Sequence, residues 1–306
     1  MIKSLVLTSI LVFIASNPAF AQISEAGKWA IKAYTVYGFS EANITYKTIN
    51  GKDVKLDVYR PKTGKLRPRP TLLFFHGGGW RAGSKDSYSL RVLPWLERGW
   101  NVVSADYRVT GEARAPAAVE DAACALRWVF QNSPKYGFDT NQIVVSGQSA
   151  GGHLALMAGL AYDEPAFSKD CDGAAIKPAA IVNWFGITDV ADLLQGEHKT
   201  QFASNWIGAD RFADSYLISL VSPITFVSSD APPTITIHGE ADPLVPYSQA
   251  IRLHQLLNDK DVKNQLFTVK GGDHGDFSFD DSLKAYEAVF AFLEEVGIRT
   301  ENTKLD

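Results

Sequence analysis

The chain has 306 residues, of which 46% are hydrophobic and 21% are charged, and its formal net charge is −4. This composition suits a folded protein that buries a full core, which excludes intrinsic disorder and small disulfide-stapled scaffolds. The acidic balance gives no basic excess for docking on phosphate backbones, and no run of Lys and Arg makes a local exception. We therefore expect no nucleic-acid partner.

The first residues have the pattern of a secretory signal peptide. Lys3 precedes an apolar run over residues 5–15, and Ala19-Phe20-Ala21 supplies small residues at a cleavage site. The run is too short to cross ~30 Å of hydrocarbon as a helix. We therefore expect residues 1–21 to be removed after Ala21, the chain to be exported to the periplasm or the extracellular space, and no stable membrane insertion of the mature chain.

Eight apolar, β-rich runs predict strands from about residue 42 onward. Several of them are continuously apolar rather than alternating, which is typical of parallel strands that are covered on both faces. In chain order the runs are Ile44–Thr48, Lys55–Tyr59, Thr71–Phe75, Asn101–Ala105, Gln142–Ser146, Ala179–Trp184, Thr234–His238 and Gln265–Val269.

Helical patterns lie between these strands. The segment Thr188–Val227 lacks a clear strand, and we expect short helices there, over the sheet edge where open α/β folds bind ligands. Strands and helices alternate without a repeat or a linker, which predicts one α/β domain over residues 22–306. The longer predicted helices are Pro116–Gln131, Ala150–Leu160, Ser248–Leu257 and Leu283–Glu295.

The sequence GQSAG, residues 147–151, indicates a nucleophilic serine. It matches G-x-S-x-G and lies directly between a predicted strand and a predicted helix, which is the context that this motif requires. Glycine on both sides tolerates the strained backbone of a sharp turn, because it has no Cβ to clash. Ser149 is therefore the candidate nucleophile.

The sequence HGGGW, residues 76–80, follows the strand Thr71–Phe75 and predicts an oxyanion hole. Successive glycines let backbone N–H groups point at one place, where they would stabilise the negative charge of a tetrahedral intermediate. The expected donors are the N–H groups of Gly78, Gly79 and Ala150. The P-loop pattern and a strand-linked GxGxxG are both absent from the sequence.

An activated serine needs a histidine, and that histidine needs a carboxylate to orient it. His274, in a glycine-rich loop after Gln265–Val269, is the candidate base. Asp242, in the loop after Thr234–His238, is the candidate acid, with Asp189 and Glu240 as rivals. The chain order Ser, Asp, His agrees with that of α/β-hydrolases.

Together, HGGGW, GQSAGG, HGEADPLVP and GGDHG resemble the motifs of the α/β-hydrolase esterases. The resemblance covers residues 42–296 and is to hormone-sensitive-lipase-like carboxylesterases and, more closely, to compact bacterial feruloyl/acetyl-xylan-type esterases. It implies an α/β fold with a mostly parallel eight-stranded sheet, helices on both faces and little or no cap. Gln148 departs from the Asp that usually precedes the nucleophile in hormone-sensitive-lipase relatives. The family's triad and oxyanion positions fall on Ser149, Asp242, His274, Gly78, Gly79 and Ala150.

The leading hypothesis is an exported serine carboxylesterase that acts on short-acyl or aryl esters of acetyl or feruloyl type, as small molecules or linked to a polysaccharide. No metal and no organic cofactor is implied, and the oligomeric state is left open. The alternatives are an amide hydrolase of arylformamidase or peptidase type with the same triad, and a non-catalytic binding module on a hydrolase fold.

Aromatic side chains near the motifs could stack on a sugar or phenolic ring at the mouth of the site. Trp80 is the favoured substrate contact because it adjoins the oxyanion glycines. The other candidates are Tyr107, Trp184, Phe185 and Trp206.

The two cysteines of the chain, Cys124 and Cys171, leave two interpretations open. Export would allow them to form a disulfide. Cysteines in a large core are as often small buried apolar side chains.

Overall fold

A computed structural model of the chain describes residues 37–61, 66–87 and 89–299. The expected signal peptide and its cleavage site after Ala21 lie outside the described residues. Eight strands form one sheet, and their bounds are β1 Tyr37–Ile49, β2 Lys52–Pro61, β3 Arg69–Phe75, β4 Asn101–Ala105, β5 Phe138–Gln148, β6 Ala180–Trp184, β7 Thr234–Gly239 and β8 Asn264–Val269.

The order of the strands across the sheet is β1-β2-β4-β3-β5-β6-β7-β8. The pairs β1–β2 and β2–β4 are antiparallel, and every other neighbouring pair is parallel. The predicted α/β fold and all eight predicted strands are therefore confirmed. The hairpin between β1 and β2 turns at Asn50-Gly51, both with positive φ (49° and 74°), as a tight Asn-Gly turn requires.

The four longer predicted helices are found, and an additional helix, α1, precedes β4. Its start carries no acidic residue in the first turn, and Pro94 lies inside it, so the usual signals of a helix are weak. The expected short helices between β6 and β7 are also present as α5 and α6, with short 3₁₀ turns around them. The helices are α1 Ser89–Glu97, α2 Ala117–Gln131, α3 Ser133–Tyr136, α4 Ala150–Leu160, α5 Gln201–Ile207, α6 Ser215–Leu220, α7 Tyr247–Asp259 and α8 Phe279–Glu295.

Each face of the sheet carries its own apolar core, because successive side chains of a strand point to opposite faces. Leu73 of β3 belongs to a core cluster with side chains of α2, α4 and α7, whereas its neighbour Leu72 belongs to a second cluster with side chains of α1 and α8. Both leucines are fully buried. The two-sided burial explains why the central strands read as continuous apolar runs.

Cys124 of α2 and Cys171 form a disulfide with their Cα atoms 5.0 Å apart. The bridge ties α2 to the segment that follows α4. Of the two interpretations that the sequence left open, the structure has the disulfide.

The parallel strands β5, β7 and β8 all end at one edge of the sheet, where the loops after them meet. Within the described ranges, no helix is both long and apolar enough to cross a bilayer.

Candidate active site

Ser149 occupies the turn between β5 and α4 and has a φ of 55°. The glycines on either side are required by close packing rather than by their own φ. A Cβ on Gly147 would lie 2.2 Å from the carbonyl oxygen of Gly151, and a Cβ on Gly151 would lie 2.1 Å from the carbonyl oxygen of Phe75. The turn therefore sits tightly against the end of β3, with the Ser149 side chain partly exposed.

His274 lies in the loop after β8 and reaches the serine. Its Nε2 is 2.8 Å from Ser149 Oγ, which is hydrogen-bond distance. The imidazole and the ring of Phe185 form an edge-type contact, with their centroids 4.8 Å apart. Gly275 follows with a φ of 77°, and a Cβ there would lie 2.5 Å from the Phe185 ring. Phe185 thus limits where the histidine loop can lie.

Asp242 is the carboxylate that contacts His274, through a 2.7 Å distance between Oδ2 and Nδ1. Its Oδ1 accepts hydrogen bonds from the backbone N–H groups of Leu244 and Val245, at 2.8 and 2.9 Å. Burial by itself would raise the pKa of Asp242, but hydrogen bonds from His238, His274 and the backbone hold the pKa well below its usual range. The carboxylate is therefore ionised at neutral pH.

His238 is a member of this network that the sequence did not reveal. Its side chain is fully buried at the end of β7. Nε2 donates to the carbonyl oxygen of Val245 at 2.9 Å and lies 3.3 Å from Asp242 Oδ2. Its position at the end of an apolar strand suggests a structural turn residue. The only sequence signal for a contact is its spacing of four residues from Asp242.

The rival acids have other partners. Asp189 forms an ion pair with Arg252 at 3.1 Å. Glu240 accepts from the backbone N–H of Gly271 at 3.4 Å. Among the three candidate carboxylates, the structure brings Asp242 to the histidine.

The glycine-rich loop after β3 faces the serine. Gly78 has a φ of 124°, and a Cβ there would lie 2.0 Å from the carbonyl oxygen of Ala82. Gly79 has a φ of 60°. Both line the same cavity as Ser149, and Ala150, the third expected donor, is the first residue of α4. The N–H groups of a helix's first turn lack partners within the helix and carry its positive dipole end.

The family model BD-FAE matches residues 56–257. The chain belongs to the BD-FAE family. The match spans most of the sheet, the glycine-rich loop and the serine turn, and the family agrees with the predicted resemblance to α/β-hydrolase esterases.

Several known proteins similar to this BD-FAE member are esterases. Esterase LipQ of Mycobacterium tuberculosis is 29% identical over 84% of this chain, which covers 62% of LipQ. A truncated carbohydrate esterase from gut microbiota is 27% identical, with a TM-score of 0.74 over 85% of this chain and 97% of that one. The butyrate-bound esterase Est2 of Thermogutta terrifontis is 29% identical, with a TM-score of 0.72 over 85% and 95%. The chain thus spans less than two thirds of the curated relative.

Trp80 does not lie where a substrate contact was expected. Its side chain is fully buried. The indole stacks on Trp206 of α5, with centroids 4.1 Å apart, and its Nε1 donates to His153 Nδ1 at 3.3 Å. Nε2 of that histidine donates to the carbonyl oxygen of Val221 at 2.8 Å, and burial lowers the pKa of His153 to about 4. The expectation for Trp80 is wrong: its ring holds α5 under the oxyanion loop instead.

Of the other aromatic candidates, Phe185 lines the cavity that contains Ser149, whereas the rings of Tyr107, Trp184 and Trp206 are buried in the core. Phe202 of α5 lines the cavity and was not predicted. It lies beside Gly79, where an added Cβ would be 3.0 Å from Phe202 Cβ. Aromatic character alone therefore does not separate core rings from cavity rings.

The cavity over Ser149 has a volume of about 550 Å³, within the usual range of ~300–1,000 Å³ for small-molecule sites. Phe185, Phe202 and Leu244 give it apolar walls. Gln148 also lines it; this side chain is nearly buried, and its Nε2 has no hydrogen-bond partner among the described residues.

Proposed function

We propose that this chain is a serine carboxylesterase with Ser149 as nucleophile, His274 as base and Asp242 as the acid that orients it. The observation that carries the proposal is the continuous hydrogen-bond relay from Asp242 through His274 to Ser149 Oγ, at 2.7 and 2.8 Å. A serine is activated in this way when a base can take its proton and a carboxylate holds the base.

In the first half of the reaction, Ser149 Oγ attacks the ester carbonyl carbon while His274 Nε2 takes the hydroxyl proton. Asp242 accepts from Nδ1–H and so keeps the lone pair of Nε2 directed at the serine. The backbone N–H groups of Gly78, Gly79 and Ala150 would bind the oxyanion that forms. His274 then gives its proton to the leaving alcohol oxygen, and the acyl group stays on Ser149.

In the second half, water replaces the alcohol. His274 takes a proton from this water, whose oxygen attacks the acyl carbon of the Ser149 ester. The second tetrahedral intermediate uses the same backbone donors. It collapses by breaking the bond to Ser149 Oγ, which regains its proton from His274, and the carboxylic acid leaves.

The proposed substrates are short-acyl or aryl esters, free or linked to a polysaccharide. The cavity of about 550 Å³ with phenylalanine walls supports a short acyl or aromatic group. The butyrate bound to the similar Est2 and the carbohydrate esterase among the structural neighbours support the same class.

We also propose that the chain acts outside the cytoplasm. The signal-peptide pattern that ends at Ala21 supports export. The disulfide between Cys124 and Cys171 supports it independently, since such bonds persist mainly in oxidising compartments.

The test is Ser149→Ala, assayed on p-nitrophenyl esters from acetate to palmitate, on methyl ferulate and on acetylated xylan. We expect kcat to fall by ~10⁴–10⁶-fold, because no other group replaces the nucleophile. Ser146→Ala is the matched control: Ser146 is buried three residues earlier in β5, and its Oγ has no partner within the described ranges.

Each outcome of this assay bears on a separate part of the proposal. Undiminished turnover by Ser149→Ala would overturn the mechanism. Activity confined to long acyl chains would overturn the substrate class. Faster cleavage of p-nitroacetanilide than of p-nitrophenyl acetate would favour an amide hydrolase on the same triad.

A further inference from the structure

Two arginines line the cavity of Ser149 and His274. They are Arg81, just past the oxyanion glycines, and Arg91 of α1. Arg91 is half-buried, and its Nη2 donates to the carbonyl oxygen of Gly275 at 3.2 Å. This bond fixes one side of the guanidinium and leaves its remaining N–H groups for another acceptor.

Neither arginine forms an ion pair with a carboxylate in the part of the chain that the structure describes. Elsewhere arginines do so: Arg108 pairs with Asp121 at 2.8 Å and Arg252 with Asp189 at 3.1 Å. Among the described lining residues of the cavity the single carboxylate is the exposed Asp276. The cavity of this acidic protein therefore carries more positive than negative groups.

Arg91 contacts the loop that carries the proposed base. Its partner Gly275 directly follows His274, and the alcohol oxygen receives its proton from His274 Nε2 in the proposed mechanism. A substituent on the alcohol therefore leaves past the loop that Arg91 holds. Arg81 reaches the same cavity from the oxyanion loop.

We propose that the cavity selects esters whose alcohol portion carries a carboxylate, such as acylated hydroxy acids or uronic acids. Arg91 is the principal specificity-determining residue and Arg81 the second. The planar guanidinium fork matches a carboxylate in geometry and charge. This inference rests on the proposed esterase function and names its substrate class.

The experiment compares two acetates that share their acyl group and ring: 4-acetoxybenzoate, which is anionic, and 4-acetoxybenzamide, which is neutral. The measured quantity is the ratio of their kcat/KM values in each variant. We expect Arg91→Gln to lower this ratio by about tenfold, which corresponds to ~1.4 kcal/mol, mainly through a higher KM for the anion. Arg81→Gln should lower it less, and Asp276→Asn should raise it.

Arg114→Gln is the matched control, because Arg114 is an exposed arginine that pairs with Asp210 at 2.7 Å and does not line the cavity. It should leave the ratio unchanged. Raising the salt concentration should lower the ratio in the wild type and have little effect in Arg91→Gln, since salt screens a charge pair at a solvent-open site.

The outcomes separate this inference from the proposed function. If the wild type hydrolyses neither acetate nor any of the p-nitrophenyl esters, the esterase proposal itself fails; if it hydrolyses p-nitrophenyl esters but neither acetate, the anion site is overturned. If the acetyl ester of neutral 4-acetoxybenzamide is hydrolysed but Arg91→Gln leaves the ratio of kcat/KM values unchanged, the anion site is overturned and the esterase stands. If Arg91→Gln instead affects mono-4-nitrophenyl succinate relative to 4-nitrophenyl butyrate, the carboxylate belongs on the acyl side and the assignment to the alcohol side is overturned.

Discussion

Asp242 accepts from several donors at once. His274 Nδ1 and two backbone N–H groups donate to its two oxygens, and His238 Nε2 lies 3.3 Å from Oδ2. Such a carboxylate is fixed in position as well as ionised, so it can set the tautomer and the direction of His274. The backbone bonds to Oδ1 explain why the aspartate lies at the start of a tight turn: its own loop holds it.

Replacing Asp242 by Asn should lower kcat by about 10⁴-fold, because an amide can donate to Nδ1 and so stabilise the wrong tautomer of His274. KM should change little. The measurement is steady-state kinetics on p-nitrophenyl acetate, with circular dichroism to show that the variant is folded.

Asp189→Asn is the control for this change, since Asp189 was the rival acid and is paired with Arg252. Its activity should stay within a few-fold of the wild type. A larger loss in Asp189→Asn than in Asp242→Asn would show that the acid has been assigned to the wrong strand.

At single residues, the sequence predicted the positions that belong to a motif. It did not predict which aromatic side chains line the cavity, because packing determines that. Ser149 and His274 follow strand ends at motif positions, so their meeting at one sheet edge was predictable. Whether Trp80 or Phe185 faces the cavity depends on the placement of α5 and of the histidine loop. That placement involves contacts between distant segments, which no local pattern encodes.

The disulfide links helix α2 to the segment that follows α4. Cys124 is on α2, which packs on one face of the sheet, and Cys171 is in the segment after α4, 47 residues later. In the chain-entropy account, a cross-link stabilises by restricting the unfolded chain, and more so for longer loops. The bridge therefore supports the packing of α2 without touching the cavity.

Replacing both cysteines by Ser should lower the free energy of unfolding by ~2–4 kcal/mol. Activity at 25 °C should persist, because neither cysteine lines the cavity. Urea unfolding with and without a reductant tests this. The reductant should destabilise the wild type and leave the double variant unaffected; equal sensitivity of both proteins would show that the bond does not contribute in solution.

Among the elements, strands were easier to predict than helices. A strand that is buried on both faces leaves a continuous apolar run, as in β3 and β5. Helix α1 leaves no such mark, because Pro94 lies inside it and no acidic residue signals its start. Pairing of Cys124 with Cys171 was likewise beyond the sequence, because two cysteines fit a core as well as a bridge.

Two buried histidines couple the stability of the whole molecule to pH. His76 and His153 each have a pKa lowered to about 4 by burial, from an ordinary value of 6.5. Below pH 6.5 the unfolded chain takes up protons that the folded chain refuses until about pH 4. The unfolded state is then favoured progressively as the pH falls through this window.

We therefore expect the melting temperature to fall as the pH is lowered from 7 toward 4, reversibly on return to neutrality. In His153→Gln the fall should be shallower, although this variant starts from a lower stability, since it disturbs the bonds to Trp80 and Val221. His198→Gln, which changes a partly exposed histidine, should keep the wild-type slope. An identical slope in all three proteins would contradict the coupling.

The charge of the whole molecule was only partly predictable. The net charge of −4 is a property of composition, but the grouping of charges depends on the fold. Arg67, Arg69, Arg98 and Arg299 border one small cavity of about 60 Å³. The sequence has no run of Lys and Arg, whereas the fold places Arg98 and Arg299 beside Arg67 and Arg69.

The backbone of Ser149 has a further consequence. The Ser149 backbone has φ 55° and ψ −120°. For a residue with a Cβ, this conformation costs ~1–3 kcal/mol. The neighbouring sheet and helix offset this penalty, through bonds such as that from the Ser149 N–H to the Trp184 carbonyl oxygen at 2.9 Å. Activity and stability therefore make opposite demands at this turn. A glycine at position 149 would relieve the backbone strain but would remove the nucleophile. The most stable residue at this turn would therefore be one that cannot catalyse the reaction.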